Sequence, residues 1–510
     1  MKNLRSGLSV LLMLFCLGCQ QKQDNEKLNI ILFLVDDMGW QDTSVPFWNE
    51  RTAYNDIYQT PNMERLAADG MKFTQAYSCA VCSPTRVSLM TGMNAAHHRV
   101  TNWTLRKDVQ PVADDDKLQQ PAWNVNGMSP EKGILNTIYA TPLPQLLHDA
   151  GYYTIHGGKA HLGAIGTPAS NPLNLGFDVN IAGHAAGAPG SYYGTKSFGN
   201  DDPKRTTWAV PGLEKYHGED IYLTEAITRE AVLAMDSAIT QEQPFFLYMA
   251  HYAVHTPIQG DDRFVQKYLD QGLLPTEAKY ASMVEGMDKS LGDIMDFLDE
   301  KGIADNTVIL FMSDNGGLSA VARGGEKHTH NKPLSSGKGS AHEGGIREPM
   351  IVKWPGKVKS NSVTHDYLII EDFFPSILEI ASINDYQTAQ SIDGVSFVPM
   401  LTHEKVSASK DRPLFWHYPN RWGPTGPGIG ASSTVRLGDW KLIYYHANRS
   451  FELFNLKEDI GESVNRTNDS PEKLKELARV LTNYLKQVDA QMPIDKSTGK
   501  VVEYPSEMIE

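Results

Sequence analysis

Cysteine is scarce in this chain, with four among 510 residues. Two of them, Cys16 and Cys19, lie in the N-terminal segment, and only Cys79 and Cys82 remain in the body. Two thiols cannot staple a body of this size, so it is no disulfide scaffold. Positive charge is also short. Lys and Arg number 47 against 61 Asp and Glu, a formal net charge of −14. That balance argues against nucleic-acid binding and offers no general attraction to anionic polymers. An anionic ligand must therefore be captured by local cations. Long apolar runs are missing after residue 27, so that part is expected to be soluble. With 41% hydrophobic and 9% aromatic residues the chain is not disordered.

The N-terminus reads as an address. Lys2 and Arg5 precede an apolar run over 8–17, which ends Leu17-Gly18-Cys19. This resembles a bacterial lipoprotein signal, although Cys16 stands where an aliphatic residue is usual. The resemblance implies removal of residues 1–18, a lipid anchor on Cys19 and a polar tether over 19–27. The protein is then exported, periplasmic or held at the outer membrane. The plainer alternative is secretion without lipid.

Residues 28–35 (LNIILFLV) form an unbroken apolar run that ends in Asp36-Asp37. Such a run predicts a strand buried on both faces, the habit of parallel sheets. Residues 306–312 repeat the pattern and lead into Ser313-Asp314-Asn315-Gly316. Weaker strands are expected over 152–156, 245–249 and 350–354. Over 276–301, Tyr280, Met283, Met287, Leu291, Ile294 and Leu298 recur at helical spacing, and Gly302 supplies a stop. The expected fold is α/β, a large mostly parallel sheet sandwiched by helices, with ligands at the carboxyl ends of strands. The pattern changes near residue 410. Short β-like runs at 414–418, 433–437, 440–446 and 451–456, a turn at Gly438-Asp439 and a helix after Ser470-Pro471 predict a smaller antiparallel sheet plus helix. Residues 28–410 are thus read as the catalytic domain and 411–510 as a C-terminal subdomain. The Gly/Pro-rich stretches 183–194 and 423–430 read as long surface loops.

Two strand ends carry oxygen donors, Asp36 with Asp37 and Asp314 with Asn315. Either pair alone is ordinary turn chemistry. Both at matching strand ends point to one divalent cation, and all-oxygen donors favour Ca²⁺ or Mg²⁺ over zinc. In Cys82-Ser83-Pro84-Thr85-Arg86, Pro84 suits a first helical turn and places Cys82 at a helix N-terminus, a seat for an oxyanion. Arg86 adds a permanent cation. Cys79 and Cys82 also form a C-x-x-C pair, which suits a redox dithiol or half a zinc site, with no second pair to complete four thiolates.

Cys82 through Arg86, followed by Thr91-Gly92, resembles the C-x-P-[ST]-R-x-x-x-x-T-G signature of type I sulfatases in the alkaline-phosphatase-like superfamily. The resemblance implies that a maturase oxidises Cys82 to Cα-formylglycine (3-oxoalanine). One hydroxyl of its hydrate attacks sulfur to give a covalent sulfate ester, and the second lets the aldehyde re-form as sulfate leaves. It further implies one Ca²⁺ held by Asp36, Asp37, Asp314, Asn315 and the modified Cys82. Gly158-Lys159-Ala160-His161-Leu162-Gly163 is similar to a family block in which an aromatic usually stands at Ala160. His255-Thr256-Pro257, and Gly337-Lys338 through Glu343-Gly344-Gly345-Ile346-Arg347, are similar to two more. By that resemblance Lys159, Lys338, Arg86 and the cation neutralise the sulfuryl group, His255 protonates the leaving oxygen with Lys338 nearby, and His161 positions the hydrate. The similarity runs from Asn29 to about Asn465.

The resemblance implies a sulfated oligo- or polysaccharide as substrate and is closest to exo-acting galactose or N-acetylgalactosamine 4-O-sulfatases. Candidate substrate walls are His98, Asn102, Trp103 and Arg106, shortly after the nucleophile, and Arg421 with Trp422. Rival readings are a phosphodiesterase or phosphonate monoester hydrolase of the same superfamily, a non-catalytic glycan-binding lipoprotein, and a dithiol redox protein. Gly337-Lys338-Gly339-Ser340 hints at a phosphate loop, but Lys332 stands where that motif needs its first glycine.

Overall fold

A computed structural model describes residues 27–112, 114–204, 206–402 and 412–509. The expected signal, Cys19 as the expected site of a lipid and the expected tether up to residue 26 lie outside the described residues, as does the expected domain boundary at 410. The large sheet has eight strands: β1 (Asn29–Val35), β2 (Met71–Tyr77), β3 (Tyr153–Gly158), β4 (Val179–Ile181), β5 (Phe245–Ala250), β6 (Thr307–Ser313), β7 (Arg347–Lys353) and β8 (Ser362–Ile369). Their order is β8-β2-β7-β6-β1-β5-β3-β4. All neighbours pair in parallel except β7, which runs antiparallel to both β2 and β6.

The apolar run of β1 sits in the middle of this sheet because both of its faces are covered. Ile30, Leu32 and Leu34 point to one core, shared with helices α2 (Cys82–Thr91), α3 (Leu143–Asp149) and α6 (Phe373–Ile380). Ile31, Phe33 and Val35 point to the other, shared with α1 (Pro61–Asp69), α4 (Leu223–Thr240) and α5 (Pro275–Glu300). Helix α5 begins with Pro275 at its first position, and Gly302 follows with φ of 70°, the left-handed stop its sequence predicts.

Residues 414–455 form a separate four-stranded antiparallel sheet in the order β9 (Leu414–Tyr418), β10 (Ser432–Leu437), β11 (Trp440–Tyr445), β12 (Ser450–Asn455). Val435, Leu442, Tyr444 and Leu453 pack against Leu477, Leu481 and Leu485 of α7 (Pro471–Gln487). The sheet's other side meets the large domain, where Trp416 Nε1 donates to the Ser78 carbonyl at 2.7 Å.

One expectation is corrected. Residues 183–194 are mostly buried rather than a surface loop, because their glycines let the backbone lie directly on neighbouring side chains. The stretch 423–430 does stay largely at the surface. Among the described residues, no helix is long and apolar enough to cross a membrane.

Candidate active site

Strand register brings the chemistry together. Val35 faces Ser313 across β1 and β6, so Asp36 and Asp314 leave the sheet side by side. Leu34 faces Ala250 of β5, which in turn faces Gly158 of β3. The segments that follow, carrying His255 on one and Lys159 with His161 on the other, therefore emerge at the same edge. Antiparallel β7 starts at that edge, with Arg347 opposite Tyr77, the last residue of β2. The segments before β7 and after β2 thus bring Lys338 and Cys82 to the same place.

Cys82 is the first residue of α2, a helix buried along its whole length, and is 4% exposed. Burial pushes its thiol pKa up, while Lys159 and Lys338 pull it down. Cys79 is buried and its thiol is raised further, again by burial. Both cysteines are free thiols. Two buried thiols with raised pKa values are poor material for a dithiol exchange site.

The carboxylates are held by cations from within the protein. Lys159 Nζ donates to Asp36 Oδ2 at 2.6 Å, and Lys338 Nζ to Asp37 Oδ1 at 2.5 Å. Arg86 Nε donates to Asp314 Oδ2 at 2.9 Å, and its Nη1 to the Lys159 carbonyl at 2.8 Å. Asn315 Nδ2 donates to Asp37 Oδ1 at 2.7 Å. Burial and the Asp314 charge push Asp36 well up. For Asp37, burial works upwards but is outweighed by Lys338, His255 and Lys159, so its carboxyl sits below the usual range. Asp37 also has φ of 62°, a left-handed backbone that costs energy away from glycine and clusters at functional sites.

Three buried oxygens here have no hydrogen-bond donor: Asp36 Oδ1, Asp37 Oδ2 and Asn315 Oδ1. A buried acceptor left unmade costs about 1–3 kcal/mol, so three at one point mark a place that something positive fills. Two carboxylate oxygens and an amide oxygen are hard donors, which fits a Ca²⁺-type ion. Asp36, Asp37 and His255 also offer ligand atoms within 4.8 Å of one another.

Both histidines are neutral as the site stands. Burial pushes His255 down to about 3, helped by Lys338 and opposed by Asp37. Its Nδ1 lies 2.9 Å from the Thr256 carbonyl, which can only accept, so the neutral ring keeps its proton there. A bare Nε2 is left 3.7 Å from Asp37 Oδ2. His161 is pushed further down by burial, Lys159 and Arg86. Its Nε2 donates to the Thr104 carbonyl at 2.8 Å, and its buried Nδ1 has no partner. A Cβ on Gly187 would fall 2.4 Å from this ring, so only glycine lets residues 183–194 lie against His161.

A cleft of about 660 Å³ opens over this edge, the size of a small-ligand site. Cys82, His161, His255 and Lys338 line it, together with Trp103, Trp208, Trp422 and Lys204. Lys159 and Arg86 are fully buried and do not line the cleft; they reach it through Asp36 and Asp314. Of the six expected wall residues, Trp103 and Trp422 line it and four do not. His98 is buried, with Nε2 on Ser88 Oγ at 2.9 Å and Nδ1 accepting from Val100 N at 3.0 Å. Asn102 is also fully buried, with its Oδ1 accepting from Trp103 N. Arg106 is exposed elsewhere, and Arg421 Nη1 donates to the Asp114 carbonyl at 3.0 Å. Trp208 and Lys204 escaped the sequence reading because they lie more than a hundred residues from Cys82, in a stretch without a motif.

A sequence model of the family described as sulfatase matches residues 28–383. Another, described as N-sulphoglucosamine sulphohydrolase, C-terminal, matches residues 337–491. A sulfatase of Formosa agariphila is 30% identical, covering 92% of this chain and 90% of its own. The N-acetylgalactosamine-6-sulfatase of Mus musculus is 31% identical over 89% of this chain and 79% of its own. Among solved structures, Ps i-CgsB has a TM-score of 0.71 at 26% identity, covering 91% of this chain and 94% of that one. Its complex with k-i-k-neocarrahexaose has a TM-score of 0.70 at 25% identity, over 95% and 96%.

Proposed function

The chain belongs to the sulfatase family and is a sulfuric ester hydrolase; on that premise we propose that it removes sulfate from galactose or N-acetylgalactosamine units of an oligo- or polysaccharide, working from the chain end. The observation that carries this reading is the meeting of Cys82, Lys338, His161 and His255 at the floor of one cleft, above three buried oxygens without donors. Three tryptophans on the walls suit the apolar faces of sugar rings. The mouse relative carries N-acetylgalactosamine in its name, and the Ps i-CgsB complex holds a neocarrahexaose.

Asp36, Asp37, Asp314 and Asn315 would hold one Ca²⁺, which supplies positive charge against the oxygens of the sulfuryl group. Oxidation of Cys82 to Cα-formylglycine, followed by addition of water to its aldehyde, would supply a geminal hydroxyl as nucleophile. The chain's own residues do the rest. Lys338 is raised by Asp37 against the opposing effect of burial, so it stays cationic beside the sulfate. His161 presents an unprotonated Nδ1 that can accept a proton from a hydroxyl at position 82. Burial chiefly holds His255 neutral, with Lys338 adding to it; the charge of an arriving sulfate offsets the Lys338 part and so favours the protonated ring that a leaving sugar alkoxide needs. Arg86 and Lys159 act from behind by fixing Asp314 and Asp36. We also propose export and a lipid anchor on Cys19, from the signal sequence.

The test is sulfate release from defined 4-O- and 6-O-sulfated galactose and N-acetylgalactosamine mono- and oligosaccharides, with the state of Cys82 read by peptide mass spectrometry. The 4-O position follows from the sequence resemblance, and the mouse relative's name favours 6-O; the panel separates them. An aryl phosphodiester cleaved much faster than every sulfate would replace this reading with phosphoryl transfer. Sugar binding without turnover in matured protein would replace it with a binding role.

A further inference from the structure

Lys338 reaches the site differently from the residues at the parallel strand ends. It rides on segment 337–343, which holds to the large domain through Lys338 N donating to the Gly317 carbonyl at 3.1 Å and Gly339 N to the Ala80 carbonyl at 2.8 Å. Its other side is fastened to the C-terminal subdomain. The Trp422 ring lies on Gly339, which has φ of 84° and whose Cβ would fall 2.0 Å from that ring. Ser340 Oγ donates to the Pro427 carbonyl at 2.9 Å, and Ala341 N to the Gly428 carbonyl at 2.9 Å. His342 Nε2 meets Glu452 Oε2 at 2.9 Å.

The strongest fastening is a buried charge. Lys441 of β11 has a fully buried side chain, and its Nζ donates to the Ala341 carbonyl at 3.0 Å and to Glu343 Oε1 at 2.9 Å. It also pairs with Glu462 Oε1 at 2.5 Å, while Glu462 Oε2 accepts from Glu343 N at 2.6 Å. Breaking a buried pair leaves an uncompensated charge, so these contacts act together and resist partial opening.

We infer that Lys441 is a positioning residue for Lys338, so that the C-terminal subdomain is part of the catalytic centre and not an appendage. The inference rests on Lys338 being the sulfate-facing cation of the proposed function. Lys441 holds Ala341 and Glu343, three and five residues on from Lys338, and so fixes where the Lys338 ammonium stands relative to Asp37 and the cleft.

The experiment uses the full-length matured protein. Lys441→Met together with Glu462→Gln removes one charge of each sign, so the pocket stays balanced. The expected result is a folded protein whose turnover of a sugar sulfate falls about tenfold and whose affinity for inorganic sulfate falls with it. In a Lys338→Ala background the same pair should change sulfate affinity less than twofold, because no ammonium remains to position. Equal losses in both backgrounds overturn the inference. Amide hydrogen exchange gives a readout independent of sulfate. Exchange over 337–345 should quicken in the charge-balanced variant while the peptides bearing Asp36 and Asp37 keep their rates; unchanged exchange over 337–345 overturns the inference whatever turnover shows. Should the paired variant fail to fold, Ser340→Ala removes only the hydroxyl, which donates to the Pro427 carbonyl and accepts from His342 N at 3.0 Å, and should show the same dependence on Lys338 at about two- to threefold.

Discussion

At the carboxyl edge of the large sheet, Asp36 Oδ1, Asp37 Oδ2 and Asn315 Oδ1 are buried without a donor. Where the small sheet meets the large domain, Lys441 is buried as deeply but lies between Glu343 and Glu462. The two regions share residue types and dryness, but at the small sheet the buried carboxylates face a buried ammonium, whereas at the large sheet's edge three acceptor oxygens meet without a donor. A buried charge completed by the chain itself is scaffolding, whereas a cluster of buried acceptors left incomplete is shaped for something the chain does not contain.

The comparison can be broken or sharpened by experiment. Cys82→Ala should lower sulfate-ester turnover by roughly 10⁴-fold or more, as loss of a nucleophile does elsewhere, with a melting temperature close to wild type. Substantial turnover in that folded variant would remove Cys82 from the chemistry. Lys338→Ala should cost about 10²–10³-fold in kcat, the scale of one preorganised charge. At the incomplete edge, chelation should lower thermal stability and added Ca²⁺ restore it. At a hundredfold excess over Kd that gain is about 2.7 kcal/mol, and Asp37→Asn should largely abolish the Ca²⁺-dependent part in a thermal melt. Trp422→Ala should raise KM about tenfold, the scale of one wall aromatic, if the walls bind sugar. The smallest effect is a control at a residue that does not line the cleft. His97 donates to Asp393 at 2.9 Å and its pKa is raised above 6.5 chiefly by that hydrogen bond. Its contribution is full below pH 6.5 and is lost as pH rises through the folded-state value. With both side chains partly exposed it is worth no more than about 1 kcal/mol, so His97→Gln should flatten that slope in melts across the range and leave turnover alone.

The central strands were legible because β1 and β6 are covered on both faces and carry unbroken apolar runs over 30–35 and 308–312. The sheet's flanks were not. In β2 (MKFTQAY) the polar Lys72 and Gln75 are only partly buried, and β8 begins with alternating exposure, so neither reads as an apolar run. Motif residues such as Lys159 and His255 could be placed because each follows a strand end. The cluster after α2 could not be sorted by composition, since His98 and Trp103 are five residues apart but one packs inward and the other faces the cleft. Residues 183–194 were misread because glycine permits close approach to a ring as well as a turn.

The depth of Cys82 has a consequence for timing. An enzyme that oxidises this side chain must grasp it, yet the whole of α2 is enclosed between the sheet and its neighbouring helices. Once the chain has closed over the segment, the side chain is open only from the cleft and 4% exposed, and a second protein can no longer wrap the backbone around it. The oxidation proposed above would therefore have to precede folding, and a molecule that folds first would keep a thiol where the proposed nucleophile should stand, however perfect its architecture.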